Sequence, residues 1–349
     1  MKYIIGLMSG TSLDGLDIAY VRFDEQNSSN YEIIFAETLA YSDEWQQKLK
    51  EAFRYNANDL MQLDADYGRF LGEKVLEFIN KYQIDKVDLI ASHGQTVFHQ
   101  PQMGYTTQIG SGAHINAITG IKTICDFRTQ DVALGGQGAP LVPIGDKLLF
   151  GQYKYCLNIG GFANISYENE GKRLAYDICP TNIVLNHYVN KMGLAYDDEG
   201  KLARTGKINK QLLDKLNQLS FYSDEKPKSL GWEFVTESII PLIDDYQLNI
   251  PDILATYTEH IAMQIAQKIN GGQMLITGGG AFHKYMIERI EKQSNTSVII
   301  PDKTTINYKE ALIFALLGFL RDQNKVNILS SVTGSRFDHS SGVIFDIQN

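Results

Sequence analysis

Cysteine is scarce in this chain: Cys125, Cys156 and Cys179 are the only three among 349 residues, and no two form a C-x-x-C pair. A sparse, odd set speaks against a disulfide framework and for a reducing compartment. Positive charge is also short. Against 41 Asp and Glu stand 32 Lys and Arg, a formal net charge of −9. That excludes the dense basic face that sequence-independent nucleic-acid binding requires. It does not exclude a nucleotide, because a few backbone amides and a metal ion can hold phosphates. The longest apolar run, residues 311–320, is too short to cross a bilayer and predicts a buried helix. No basic-then-apolar leader opens the chain, so the expectation is a cytoplasmic protein without a signal peptide or a membrane partner. His93 and His99 have no carboxylate or thiolate at ligand spacing, which argues against zinc. The common phosphate motifs are missing too. There is no G-x-x-x-x-G-K-[ST], and Gly278-Gly279-Gly280-Ala281 is not G-x-G-x-x-G, which removes the P-loop and Rossmann readings.

What is present is a soluble α/β pattern, long enough for two domains. Residues 4–8, 16–21 and 31–40 read as three strands separated by polar clusters. Leu60, Leu63, Tyr67, Leu71, Val75 and Ile79 then fall at helical spacing, and residues 87–92 form a short buried strand. The order begins again in the middle. Residues 154–159, 164–167 and 173–176 read as strands, and Ile253, Tyr257, Ile261, Ile265 and Ile269 mark a long helix. Residues 274–277 supply a last strand. Two copies of strand–strand–strand–helix–strand predict a duplicated fold with a cleft between the halves.

Glycine gathers with Ser, Thr, Asn or Asp at four places read as strand ends: residues 9–15, 135–138, 158–164 and 277–280. Such turns let consecutive amides close around phosphate oxygens, although a single one is weak support. The first of them, Gly6-Leu7-Met8-Ser9-Gly10-Thr11-Ser12-Leu13-Asp14-Gly15, closely resembles the opening of the anhydro-N-acetylmuramic acid kinases. Further blocks follow in order: Ser92-His93-Gly94-Gln95-Thr96, Gln108-Ile109-Gly110, Asp126-Phe127-Arg128, and Gly135-Gly136-Gln137-Gly138-Ala139-Pro140-Leu141-Val142-Pro143. After them come Asn158-Ile159-Gly160-Gly161-Phe162-Ala163-Asn164, Pro227-Lys228-Ser229, the triple glycine, Glu310-Ala311 and Ser331-Val332-Thr333-Gly334.

The resemblance implies two ribonuclease-H-like domains around an interdomain cleft, as in the acetate kinase, sugar kinase and actin-like superfamily. The first would cover 1–140 plus 325–349 and the second 141–324. It implies an ATP-dependent kinase that opens the 1,6-anhydro ring and phosphorylates O6, with Mg²⁺ as cofactor, in cell-wall recycling. A homodimer is expected. Gly10, Thr11, Ser12, Asp14, Gly15 and Asp17 would meet ATP from one domain. Gly160 and Gly161 would meet it from the other, and Gly278, Gly279 and Gly280 would border the adenosine. Either Asp14 or Asp17 suits the metal; Asp14 could instead only cap its turn. Asp177, read as ending the strand 173–176, would be the base. His93, Gln95, Arg128 and Glu310 are the sugar candidates. Two bland alternatives stay open: Arg128 salt-bridged between Asp126 and Asp131, and Glu310 as a helix N-terminal acid.

The chain departs from the family pattern in places. Asp177 is followed by Ile178-Cys179-Pro180-Thr181-Asn182 where Thr-Gly-Pro-Gly-Asn is usual. Ile144-Gly145-Asp146 replaces Ala-Phe-His, His283 replaces Asn, and Trp232 stands where Arg is common. These changes leave room for a kinase of another amino or anhydro sugar, or for a non-catalytic ATP-binding regulator. Cys179 is expected to be a loop substitution, not a nucleophile.

Overall fold

The computed structural model describes residues 1–10, 13–223 and 230–347, so Thr11, Ser12 and the Pro227-Lys228-Ser229 block lie outside the described residues. Strands β1 (Lys2–Ser9), β2 (Leu16–Phe23) and β3 (Tyr31–Leu39) run antiparallel, joined by short turns. Helix α1 (Ala57–Tyr82) then carries the chain back, so that β4 (Leu89–Ser92) lies parallel to β1. A parallel pairing needs such a crossover. A two-stranded hairpin follows, β5 (Gln95–Gln100) and β6 (Tyr105–Ile109), and β7 (Thr123–Cys125) pairs in parallel with β4. Helix α2 (Val142–Leu149) ends this stretch.

The order then repeats. Strands β8 (Tyr155–Ile159), β9 (Phe162–Asn169) and β10 (Lys172–Pro180) are antiparallel. After helices α3 (Asn182–Asn190) and α4 (Ile250–Ala266), β11 (Gln273–Thr277) pairs in parallel with β8. Helix α5 (Lys284–Ser294) leads to β12 (Ser297–Ile299), and helix α6 (Lys303–Asp322) to β13 (Val343–Phe345). The sheets read β13-β7-β4-β1-β2-β3 and β10-β9-β8-β11-β12. Apart from β13, each has the same order, with three antiparallel strands and then two parallel ones. The fold is α/β, built twice.

The chain divides into two compact units, Met1–Leu149 with Tyr308–Asn349, and Phe150–Asn307. These breaks differ from the sequence expectation at 140/141 and 324/325, for a packing reason. In α2, Gly145 meets Ile313, and Asp146 forms a buried 2.7 Å ion pair with Lys309. In α6, the backbone breaks at Tyr308 (φ −115°, ψ 16°), and the turns beyond it pack on the first sheet. A Cβ on Gly6 would fall 2.0 Å from the Ala311 carbonyl oxygen, and Phe319 stacks on Phe23 at 5.1 Å. The apolar run 311–320 is therefore the buried helix that its composition predicts. Tyr67, Leu71, Val75 and Phe78 of α1 pack in one core with Ile5, Leu7, Ile18 and Ile90 of the sheet. Fully burying each such side chain contributes roughly 1.5–3 kcal/mol.

Candidate active site

In the first unit the site grows from the C-terminal ends of β1 and β4. β4 is a fully buried strand, and the chain leaving it places His93 and Gln95, 6 % and 3 % exposed, beside the end of β1. Arg128 donates from Nε and Nη2 to His93 Nε2, at 3.1 and 3.0 Å, and from Nη1 to the Gly138 carbonyl at 2.6 Å. A guanidinium can only donate, so His93 Nε2 is the acceptor and the ring proton sits on Nδ1, facing the Ser9 carbonyl at 3.3 Å. Burial, then the Arg128 charge, hold the imidazole at a pKa of about 3, so it stays neutral. Arg128 is itself lowered to about 10 by burial, against the pull of Glu310 and Asp131. It is not a plain salt bridge between Asp126 and Asp131. Its hydrogen bonds go to His93 and a carbonyl, and its charge is shared with Glu310.

Glu310 is reached by solvent yet crowded by protein, and loss of hydration raises its carboxyl pKa. Arg128 offsets part of that rise, while Asp17 adds to it by repulsion. Glu310 lies two residues beyond the break at Tyr308, in the first turn of the helical segment that begins there, where an acid is favoured. Asp17, on β2 opposite Met8, accepts from Thr38 Oγ1 at 2.5 Å. Burial raises its pKa too, and neighbouring Asp14 contributes. Gly10 closes a turn by accepting from the Leu13 amide at 3.2 Å, and Asp14 is exposed. Gly15 has a packing role: a Cβ there would sit 2.6 Å from the Leu39 carbonyl oxygen of β3. His93, Gln95, Arg128, Glu310 and Asp17 all belong to one unit. His93, Arg128, Glu310 and Asp17 interact through charge and hydrogen bonds, and Gln95 meets them only through Ser9, which also faces His93.

The second unit uses different material at the same strand ends. The turn after β8 caps α3, since the Gly160 carbonyl accepts from Thr181 Oγ1 at 2.8 Å and the Gly161 carbonyl from the Thr181 amide at 2.8 Å. At Gly160, Gly161 and Gly279 a Cβ would meet nothing nearer than 3.6 Å, so the fold does not require glycine there. Gly278 and Gly280 are different. Gly278 has φ +81°, and a Cβ on Gly280 would lie 2.3 Å from Ile159 Cγ2. Gly161 and Gly279 leave exposed backbone at the carboxyl ends of parallel strands, where α/β sheets bind ligands, whereas the Gly160 amide is taken by the Phe162 carbonyl at 3.1 Å. By contrast, the 135–138 cluster follows a short helix, Thr129–Ala133, and not a strand as expected.

Asp177 does not end its strand. Pairing continues to Pro180 opposite Phe162, and a bulge between Asp177 and Cys179 turns the carboxylate partly outward. Asp177 Oδ2 accepts from the Leu230 amide at 2.8 Å, and Asn164 across the strand pair also bonds it. Burial still wins, and the pKa is raised. Cys179 is fully buried and its thiol pKa is pushed up, so it offers no thiolate.

A sequence profile described as anhydro-N-acetylmuramic acid kinase matches residues 2–347. The chain belongs to the anhydro-N-acetylmuramic acid kinase family. It is 33 % identical to the anhydro-N-acetylmuramic acid kinase of Synechococcus elongatus, covering 98 % of this chain and 99 % of that one. The Vibrio vulnificus enzyme of the same name is also 33 % identical, covering 98 % and 97 %. Among solved structures, component A of (R)-2-hydroxyglutaryl-CoA dehydratase from Acidaminococcus fermentans matches with a TM-score of 0.49 and 13 % identity. That match covers 93 % of this chain and all of that one; it carries no functional weight.

Several departures from the usual pattern of the anhydro-N-acetylmuramic acid kinase family have a structural account. Ile178 and Cys179, 2 % and 0 % exposed, turn their bulk into the core of the second unit and not out beside Asp177. His283 keeps the capping function of an Asn, because its Nδ1 accepts from the Met286 amide at 3.1 Å at the start of α5. Asp146 is matched by Lys309. Nothing in the structure explains exposed Trp232. Sequence reasoning missed Thr38, Asn164 and Leu230, which hold the two aspartates. Thr38 and Leu230 are ordinary residues distant in sequence from their partners, and no local pattern marks them; Asn164 closes the block 158–164, but nothing in that block pairs it with Asp177.

Proposed function

We propose that this chain is an ATP-dependent kinase that hydrolytically opens the 1,6-anhydro ring of anhydro-N-acetylmuramic acid. The products are N-acetylmuramic acid 6-phosphate and ADP. The observation that carries the reading is Asp177: a carboxylate with a raised pKa, positioned by the Leu230 amide, in a chain of this family. Asp177 takes the proton from water as its oxygen bonds to the anomeric carbon. The bond from that carbon to O6 breaks, and O6 takes the γ-phosphoryl group, releasing ADP. A base raised toward the working pH transfers protons well in both directions.

The exposed backbone at Gly161 and Gly279 supports a triphosphate held by amides of the second unit. Gln95, Arg128 and Glu310 supply donors and acceptors for sugar hydroxyls, whereas both nitrogens of His93 are engaged, so His93 serves by orienting Arg128. The carboxylate of Asp17, with Asp14 beside it, fits Mg²⁺, which takes one or two carboxylates and completes its shell with water and phosphate oxygens. That ion would offset phosphate charge. The working form is proposed to be cytoplasmic and a homodimer; among the described residues no helix is long and apolar enough to cross a membrane. An ADP-release assay with anhydro-N-acetylmuramic acid tests the activity. Sugar-dependent ADP release that disappears in Asp177→Asn is expected. Absence of sugar-dependent release, with binding of ATP retained, would favour a regulator, and faster release with a non-anhydro amino sugar would change the substrate.

A further inference from the structure

Two of the sequence blocks, 135–143 and 331–334, supply no group to the proposed reaction, yet both close on one side chain. Asp131 is fully buried in the short helix Thr129–Ala133. Its Oδ2 accepts from the Gly138 amide at 2.7 Å, and its Oδ1 from Thr333 Oγ1 at 2.7 Å. Its own carbonyl accepts from the Gly136 amide at 2.9 Å, and the Gln137 amide donates to the Thr333 carbonyl at 2.7 Å. A Cβ on Gly136 would fall 2.2 Å from Asp131 Oδ2, so glycine is what lets the loop come this close.

Gly138 ties this cluster to Arg128. Among the described residues its amide has Asp131 as its one acceptor, and its carbonyl has Arg128 Nη1 as its one donor. Gly138 sits at φ +68°, and glycine takes either sign of φ readily, so that carbonyl needs an anchor to stay where it is. Both bonds from Arg128 to His93 end on a single atom, Nε2, about which the guanidinium can swing. The Gly138 carbonyl is its second fixed point. Two of the five Arg128 N–H bonds then remain without a protein acceptor among the described residues, and no Arg128 nitrogen is a buried unpartnered atom. We propose that Asp131 is a positioning residue: by anchoring Gly138 it fixes the guanidinium, so that Arg128 presents its two remaining N–H bonds to an oxygen of the sugar substrate. The substrate half of the inference rests on the sugar-kinase reading above. Asp131 also acts on Arg128 by charge, so position has to be separated from charge.

Asp131→Asn, Asp131→Ala and Thr333→Val in the full-length protein make that separation. The Gly138 amide can only donate, whereas the Thr333 hydroxyl can donate or accept. An Asn at 131 therefore turns its oxygen to Gly138 and its NH₂ to Thr333. Asp131→Asn removes the charge and keeps the anchor, so KM for the sugar should stay near that of the parent. Asp131→Ala removes the anchor and should raise it about five- to tenfold, the worth of one hydrogen bond, with KM for ATP unchanged. Thr333→Val breaks the bond to the other carboxylate oxygen and should lower the melting temperature without raising KM for the sugar. The guanidinium N–H resonances of Arg128, assigned by their loss in Arg128→Lys, give a readout free of turnover. Held at two points, the Nη protons should be resolved in the parent, in Asp131→Asn and in Thr333→Val, and should merge in Asp131→Ala. A rise in KM for the sugar in Asp131→Asn as large as in Asp131→Ala makes charge the cause and overturns the role. So does an equal rise in Thr333→Val, or an Arg128 signal unchanged in Asp131→Ala. Should Asp131→Ala fail to fold, Asp131→Asn decides alone, and loss of the resolved resonances there overturns the anchor. No sugar-dependent turnover by the parent overturns only the sugar assignment, since the resonances still read the anchor.

Discussion

In the first unit, the chain leaving β4 carries His93 and Gln95, and each is fixed by another side chain: Arg128 on one, Ser9 on the other. In the second unit, the chain leaving the equivalent strand β11 carries Gly278, Gly279 and Gly280, and the turn after β8 carries Gly160 and Gly161. The strand order is the same in both. One copy thus offers a rigid set of directed polar groups, and the other offers bare backbone. Directed donors and acceptors discriminate one sugar from another, because a missing partner leaves a buried group unpaired. Bare amides suit phosphates, which need many donors at close approach and no side-chain selectivity. The two copies share a scaffold and differ in the residues at their strand ends, which is the basis of the proposed division of sugar and phosphate binding.

The strongest way to break this contrast is at Asp177, the carboxylate of the second unit proposed as the base. Asp177→Asn should lower kcat by about 10²–10⁴-fold, the usual worth of a general base, without lowering the melting temperature. The sign of its pH dependence follows from burial. Because the folded pKa is raised, the carboxylate is protonated and inactive at pH values where an ordinary Asp is ionised. The acid limb of kcat/KM should sit above the range of a free aspartate, and steady-state rates across pH measure it.

A sharper test separates glycines kept for a ligand from glycines kept for packing. Gly161→Ala should change stability by no more than about 0.5 kcal/mol, since its Cβ would lie 3.7 Å from Ile183, yet it should raise KM for ATP. Gly280→Ala should cost about 1–3 kcal/mol in denaturant unfolding, because its Cβ would overlap Ile159. If the two behave alike, the distinction between open and packed glycine fails.

The smallest expected effect concerns the first unit. Glu310 has a raised folded pKa, so its stabilising contribution is full below the unfolded carboxylate pKa and is lost as pH rises through the folded value. At neutral pH the ionised form opposes folding. Glu310→Gln should therefore raise the melting temperature slightly near pH 7, with the difference shrinking as the solution is made acidic. Sugar-dependent turnover should fall in the same variant.

Periodicity alone placed the strands 4–8, 16–21 and 154–159, the helix around Tyr67 and the buried run 311–320, because alternation and four-residue steps are local properties of a chain. The ordered blocks also identified the family, since each records which residues a site keeps. What they could not reveal depends on partners far away in sequence. Gly15 and Gly280 differ from Gly160 and Gly161 only through Leu39 and Ile159. The proton of His93 was placed by Arg128, 35 residues on, and the amide of Gln95 by Ser9, 86 residues back. The bulge that keeps Asp177 outward while Cys179 turns inward exists only because β10 pairs with β9. Tertiary structure decided these points, because desolvation and hydrogen-bond direction are set by the groups that surround an atom, and folding alone brings those groups together.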